Sequence, residues 1–388
     1  VNRIDAVYSE DITSSTFESG DWTFPANPAS LSVGSGAFSG STVQITVTGA
    51  PANTTVLGTT TVKYTNQGSS NSITDGSNSS ATSSVITLSD EAKPVIVSAV
   101  TGDNNSDGTL DRLTLTFSES VVITDGGTDN DITLSASTGS ASITAGSYGA
   151  TASTLVYTIS GATAGNTSLT IDPTYAVSGA GDITDPTGNE MANGETVSGS
   201  DGAAPILLSA TYKDTNGNGT VNRIDAVYSE DITSSTFESG DWTFPANPAS
   251  LSVGSGAFSG STVQITVTGA PANTTVLGTT TVKYTNQGSS NSITDGSNSS
   301  ATSSVITLSD ETVPILLSAT YKDTNGDGAV NRIDAVYSED ITSSTFESGD
   351  WTFPANPASL SVGSGAFSGS TVQITVTGAP ANTTVLGT

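Results

Sequence analysis

The sequence predicts an all-β chain of small two-sheet sandwich domains joined in tandem into an extended rod. Three observations predict it. Residues 1 to 91 recur without change at 221 to 311, and residues 1 to 59 recur again at 330 to 388; self-similarity with a unit of about 110 residues marks an array. Aromatics are 6% and charged residues 12% of the chain, helix formers are scarce, and Gly, Ser, Thr and Asn fill the remainder, as strands and turns require. A length of 388 residues exceeds what one core of this composition fills, so several domains are expected.

Acidic, proline-ended joints divide the array at Ser89 to Pro94, Ser200 to Pro205 and Ser309 to Pro314. They give domains 1–93, 94–204, 205–313 and 314–388, the first incomplete at its N-terminal side and the last at its C-terminal side. Joints this short leave neighbours end to end. Because Val1 and Thr388 both fall inside repeats, the chain is expected to be a piece of something longer.

Within 205–313, period-two alternation and β-branched enrichment predict strands near 205–211, 221–229, 241–244, 250–253, 262–268, 279–285 and 304–309. Seven short strands in that length fit a two-sheet sandwich. In the second strand Ile224, Ala226 and Tyr228 are expected to face the core, with Asp225 and Val227 outside. Leu113, Leu115 and Phe117 repeat the pattern in 94–204, and Trp242 and Phe244 are expected to anchor the third strand.

Pro94-Val95-Ile96-Val97-Ser98-Ala99, Leu113-Thr114-Leu115-Thr116-Phe117-Ser118-Glu119 and Ile183-Thr184-Asp185-Pro186-Thr187-Gly188-Asn189-Glu190 resemble the bacterial immunoglobulin-like domains found in tandem in surface proteins and adhesins. The matching pieces of the other repeat type are Pro205 to Ala210, Tyr228-Ser229-Glu230 and Ser234-Ser235-Thr236-Phe237; its late loop departs from the pattern, with Ile293 to Asn298 in place of Asp-x-x-Gly-Asn. The resemblance implies immunoglobulin-like sandwiches and an extracellular, cell-surface setting.

Between the first two strands lies a calcium-loop spacing. Asp323, Asn325, Asp327, Asn331 and Asp334 occupy positions 1, 3, 5, 9 and 12, with Gly328 at 6 and the backbone carbonyl of Ala329 available at 7. Alternate oxygen side chains on a tight loop can surround a hard cation that needs six or more oxygens, and glycine lets the loop close. The frame recurs at Asp214, Asn216, Asn218, Gly219, Thr220, Asn222 and Asp225, and more loosely at Asp103, Asn105, Asp107, Gly108, Thr109 and Asp111, where Thr114 replaces the last acid. The loop at Asp323 is expected to bind Ca2+ most tightly, because it carries most charge. It also resembles dockerin loops. Those are followed by a helix, whereas Ala335-Val336-Tyr337 reads as strand, so the resemblance implies the ion and not a cohesin partner.

Tracing the chain through such a sandwich turns each loop toward the following domain. Three acidic sources are then expected to meet at a joint: the loop Asp103 to Asp111, Asp201 from the linker, and Glu230 with Asp231. At the next joint they are the loop Asp214 to Asp225, Asp310 with Glu311, and Glu339 with Asp340. Bridging Ca2+ would relieve carboxylate repulsion there and stiffen the array.

Other chemistries are disfavoured. With 37 acidic against 9 basic residues and a net charge of −28, nucleic acid and anionic membranes are repelled. Cysteine and histidine are absent, which removes disulfides, zinc fingers and Ser-His-Asp triads. No apolar run is long enough to insert in a membrane, and Gly34-Ser35-Gly36 lacks the Lys of a phosphate loop. Carboxylate pairs exist, yet near-identical small sandwiches offer no cleft for acid/base work, so no enzyme is expected. Asn53, Asn78, Asn104, Asn166 and Asn218 open glycosylation acceptor patterns. The expected role is a structural segment of an extracellular, calcium-stabilised surface fibre, stalk or adhesin, its partners being calcium, neighbouring domains and copies of itself. Any glycan or host-surface ligand would bind outside this segment. Two alternatives stand beside it: a filament or S-layer-type lattice subunit whose open edges, such as that of the incomplete first domain, pair between chains, and a carbohydrate-binding array using Tyr64, Tyr212, Tyr284 and Tyr321 as its exposed aromatics.

Overall fold

Alternation of apolar and polar residues sets the structure wherever it occurs. A computed structural model describes residues 2–49, 59–68, 72–123, 131–136, 140–146, 151–176, 183–234, 236–269, 278–288, 293–343 and 345–378. The acceptor motif at Asn53 and the residue Ser235 lie outside the described residues. Among these residues the regular structure is strand, with short 3-10 turns such as Ser239–Asp241 and no α-helix. Consequently no helix is long and apolar enough to cross a membrane.

Two compact units are formed. One comprises Val1–Asn104, Leu110–Thr163 and Leu169–Asp201; the other comprises Asn105–Thr109, Ala164–Ser168 and Gly202–Thr388.

In the second unit, residues 205–313 build a five-stranded sheet in the order Ser252–Ser259, Thr262–Thr268, Arg223–Tyr228, Leu207–Lys213, Ser309–Asp310. The last strand is parallel to its neighbour, pairing Ser309 with Thr211 and Asp310 with Tyr212. A three-stranded sheet of Trp242–Thr243, Thr281–Tyr284 and Ile306–Thr307 shares its core. Ile224, Ala226, Tyr228, Val263 and Ile265 enter that core from one sheet and Trp242, Val282 and Tyr284 from the other. Each such aliphatic side chain stabilises by about 1.5–3 kcal/mol when fully buried. Trp242 stacks on Phe237 at 6.4 Å and leans on Tyr284 at 5.3 Å. Residues 314–378 add a four-stranded sheet in the order Leu316–Lys322, Arg332–Tyr337, Thr371–Thr377, Ser361–Ser368.

The first unit carries a five-stranded sheet, Ser142–Gly146, Ala152–Ser160, Arg112–Val121, Ile96–Gly102 and Gly199–Ser200, with Ile171–Tyr175 paired to Ile132–Ala136. Residues 2–93 form a sheet of Arg3–Val7, Thr42–Thr48 and Ser32–Ser39, and another of Trp22–Thr23, Thr61–Tyr64 and Ile86–Thr87.

Two expectations need correction. Asp225 lies on the strand face opposite Ile224 and Ala226, as expected, but it is not in water: it is 6% exposed, because Lys213 and Arg223 close over it. Tyr64, Tyr212 and Tyr284 are buried, since the strands Thr61–Tyr64 and Thr281–Tyr284 turn Val and Tyr inward together and Ser309–Asp310 pairs beside Tyr212. Of the four tyrosines, Tyr321 alone is exposed.

Candidate metal centres

The long strand Arg112–Val121 buries every second residue: Leu113, Leu115, Phe117, Glu119 and Val121. Period two therefore carries a carboxylate on the register that faces the core. A buried charge is costly unless it is paired, and Glu119, 2% exposed, meets two more acids. One carboxylate oxygen from each of Asp90, Glu119 and Asp185 lies within 4.8 Å of the others.

Asp185 is fixed by its own turn. Its Oδ1 accepts hydrogen bonds from the amides of Thr187 and Asn189, both at 2.8 Å, and its Oδ2 from Asn189 Nδ2 at 2.8 Å. Burial pushes this carboxyl up, but the bonds from Asn189 and Thr187 outweigh it and hold Asp185 below the ordinary carboxylate range. Gly188, at φ +97°, supplies the left-handed residue the turn needs. Thr184 exchanges two backbone hydrogen bonds with Val122, at 2.7 and 3.1 Å, which ties the turn to the end of the Glu119 strand. Asn189 Nδ2 donates to the carbonyl of Asp90 at 3.1 Å, bringing in the joint. Every donor atom is an oxygen, as Ca2+ or Mg2+ requires and thiophilic metals do not.

The same register carries Glu230 and Glu339, which are 5% and 7% exposed. Thr167 Oγ1 donates to Glu230 Oε1 at 2.7 Å and lies 2.7 Å from Ser229 Oγ. Glu230 and Asp295 bring carboxylate oxygens within 4.8 Å of each other, and Asp295 Oδ1 is held by the amides of Ser297 and Asn298, both at 2.6 Å. Glu339 Oε1 accepts from Thr312 Oγ1 at 3.4 Å, and Thr312 Oγ1 also reaches Asp310 Oδ1 at 2.6 Å. Burial, with Asp310 and Glu339 nearby, raises the Tyr212 phenol well above its usual range.

The twelve-residue loops are closed by their own side chains. Asp214 Oδ1 accepts from the amides of Asn216 and Gly217, at 3.2 and 2.8 Å, and Oδ2 from Gly219 at 2.7 Å. Asp323 repeats this with Asn325, Gly326 and Gly328 at 3.2, 2.7 and 2.8 Å; the Gly328 amide leads in holding its carboxyl below the ordinary range. Asn222 and Asn331 accept from the amides of Thr215 and Thr324, both at 3.0 Å. Asp111 takes that place in the earlier loop, accepting from Asn104 at 2.7 Å, while Asp103 follows directly on the strand Ile96–Gly102. Asn105 accepts from the amide of Asp107. The amides of Thr109, Thr220 and Ala329 donate to Asp107, Asn218 and Asp327, each at 2.8 Å.

The position-12 acids lie elsewhere. Asp225 sits in a strand with Lys213 Nζ at 3.0 Å and Arg223 Nε at 2.7 Å. Asp334 has Lys322 at 2.6 Å and Arg332 at 2.7 Å; burial raises its carboxyl, and those two cations more than reverse the shift. Glu311 is engaged by Lys213 at 2.8 Å. Asp231 and Asp340 lie over the hairpin turns at Gly260 and Gly369, whose Cβ positions fall 3.4 and 3.5 Å from their Oδ1 atoms. Asp201 ends the first unit.

Loop and next repeat do meet. A Cβ on Gly219 would lie 2.7 Å from Leu317 Cδ2 and 3.1 Å from Ser338 Cβ, and one on Gly108 would collide with Leu208. The structure thus brings the loop glycines against leucines, and the carboxylates together at the joint and late turn. Asp90, Glu119, Asp185 and Asp295 were missed as ligands because they are far apart in sequence. Glu119 was findable, since it continues the Leu113-Leu115-Phe117 alternation.

No family model and no curated protein matches the chain. Among solved structures it is similar to the surface layer protein SbsC, domains 1-6, at 16% identity and TM-score 0.20, over 98% of this chain and 49% of that one. It is also similar to the S-layer protein rSbsC(31-844), at 10% identity and TM-score 0.18, over 97% of this chain and 61% of that one. The chain therefore spans less than two thirds of the length of either.

Proposed function

We propose that this chain is a structural segment of an extracellular, repetitive cell-surface fibre, stalk or adhesin, in which immunoglobulin-like sandwich domains act as spacers and calcium stabilises their joints. The observation that carries the reading is the meeting of Asp90, from the end of one repeat, with Glu119 and Asp185 of the next. Three carboxylates in one small volume repel, the more so where two are buried. A divalent cation converts that repulsion into a cross-link, and an all-oxygen site of this kind fills at about 0.1–1 mM Ca2+, the range of extracellular modules. The twelve-residue loops offer a further set of oxygens at positions 1, 3, 5 and 9.

A non-catalytic role fits the surface. The open depression of about 420 Å³ beside Asn105, Leu208 and Ser303 is lined by one ionisable side chain, Asp107, where glycoside chemistry needs two carboxyls. The lattice alternative needs flat open edges. Two outer strands, Ser252–Ser259 and Ser142–Gly146, carry register shifts at Val253/Gly256 and Ile143/Ala145, a device that blunts edge pairing, whereas the outer strand Arg3–Val7 pairs with Thr42–Thr48 in unbroken register. Burial of Tyr64, Tyr212 and Tyr284 removes most of the platform a carbohydrate-binding array would use.

Calorimetric titration and thermal melting of the chelated chain with Ca2+ test the reading, using Glu119→Gln. The wild type should gain several degrees in Tm on saturation, since about 1 kcal/mol moves a domain of this size by about 4–8 °C. Glu119→Gln should lose most of that gain, and in chelator should melt no lower than the wild type. Calcium binding without any change in melting, or no binding at millimolar Ca2+, would sink the proposal.

A further inference from the structure

We propose that the first aspartate of the twelve-residue loops is a guard against deamidation: Asp214 protects Asn216 and Asn218, and Asp323 protects Asn325. The second unit carries three Asn-Gly bonds in these two loops, 216–217, 218–219 and 325–326. An Asn-Gly bond is chemically fragile because glycine has no side chain to hinder its own amide. The amide nitrogen gives up its proton and attacks the asparagine side-chain carbonyl carbon. A nitrogen–carbon bond forms, the bond to the side-chain nitrogen breaks, and ammonia leaves with the proton. Water then opens the succinimide ring to aspartate or isoaspartate, so the net change is asparagine plus water to acid plus ammonia.

The attacking nitrogens are all held by one carboxylate in each loop. Gly217 donates to Asp214 Oδ1 at 2.8 Å and Gly219 to Asp214 Oδ2 at 2.7 Å, while Gly326 donates to Asp323 Oδ1 at 2.7 Å. A carboxylate acceptor makes the strongest kind of amide hydrogen bond, and its negative charge opposes the amide anion that cyclisation must form. The side-chain carbonyls are held as well: Asn216 Oδ1 accepts from Asn218, Asn218 Oδ1 from Thr220 and Asn325 Oδ1 from Asp327, at 3.3, 2.8 and 3.3 Å. Position 5 is Asn218 in one loop and Asp327 in the other, the reactant and the product of this chemistry at the same place. Loss of the guard would add a negative charge at each site and, by the isoaspartate route, lengthen the loop backbone.

Asn193-Gly194 provides an internal standard, because the Gly194 amide is held by the neutral carbonyl of Tyr175 at 2.8 Å, far from either aspartate in sequence. The unsubstituted chain, Asp214→Ala and Asp323→Ala would be incubated in alkaline buffer with chelator, and each Asn-Gly peptide followed by mass spectrometry. Asp214→Ala should speed deamidation at Asn216 and Asn218 by about tenfold or more, the scale of a lost charged hydrogen bond. Asn325 and Asn193 should be unchanged, and Asp323→Ala should give the mirror pattern at Asn325. Equal rates in wild type and variants would overturn the proposal. So would acceleration at all four sites together, which would trace the protection to the fold as a whole.

Discussion

Residues 3–10 and 223–230 are the same eight amino acids in different surroundings. Arg223–Tyr228 lies between Thr262–Thr268 and Leu207–Lys213, whereas Arg3–Val7 is the outer strand of its sheet. Ser229 exchanges hydrogen bonds with Ile206, its amide donating to the carbonyl and its Oγ accepting from the amide, both at 2.9 Å. Tyr228 and Glu230 are thereby buried at 2% and 5% exposure, while Tyr8 is half-buried and Glu10 exposed. The buried carboxylate is thus a property of the assembled joint.

The largest test of that contrast is Tyr228→Ala against Tyr8→Ala in chemical unfolding. Removing the buried ring should cost about 3–5 kcal/mol and the half-buried one about 1–2 kcal/mol; equal losses would break the comparison. A second pair isolates the contact between loop and next repeat. Gly219 and Gly328 share φ values of +81° and +86°, so alanine strains both by about 1–2 kcal/mol. Gly219 also faces Leu317, whereas nothing lies within 4 Å of the Cβ position at Gly328. Gly219→Ala should therefore cost about 1–3 kcal/mol more, and matching melting temperatures would show that the loop does not bear on its neighbour.

Acid titration sharpens the contrast between two buried aspartates. Asp185 has its folded pKa held below the ordinary 3.8, so its stabilisation is present above that value and is lost as pH falls through the depressed folded value. Asp185→Asn should flatten the acid side of the stability curve below about pH 4. Asp241 is raised above 3.8, by burial and then by Glu238. Its ionised form weakens the fold as pH rises through the folded value, and Asp241→Asn should melt higher than the wild type at neutral pH and alike in acid. Smallest of all should be Glu10→Gln, within about 0.5 kcal/mol with or without Ca2+, while on the proposed calcium reading Glu230→Gln should reduce the gain in melting temperature that added Ca2+ gives.

Much of this was legible before any coordinates. Most strand positions in 205–313 and the inward register of Ile224, Ala226 and Tyr228 follow from alternation and turn residues, because those signals are local, whereas the run expected as one strand near 304–309 is two, Ile306–Thr307 and Ser309–Asp310, in different sheets. The burial of Asp225 was not legible, since it depends on Lys213 reaching across from the paired strand. Tyr212 read as a surface ring because the strand that covers it, Ser309–Asp310, lies about 100 residues away and pairs parallel.

By itself the sequence determined an all-β repeat, its oxygen-rich loops and the core register of Leu113, Leu115 and Phe117 in the second strand. Period-two alternation and backbone turn preferences are written into neighbouring residues, so any copy carries them. Tertiary structure alone decided which glutamates are buried and which acids join them. Those meetings bring together residues 29 and 66 positions apart in the case of Asp90, Glu119 and Asp185, and burial exists only once a neighbouring strand and a joint have closed around the same carboxylate.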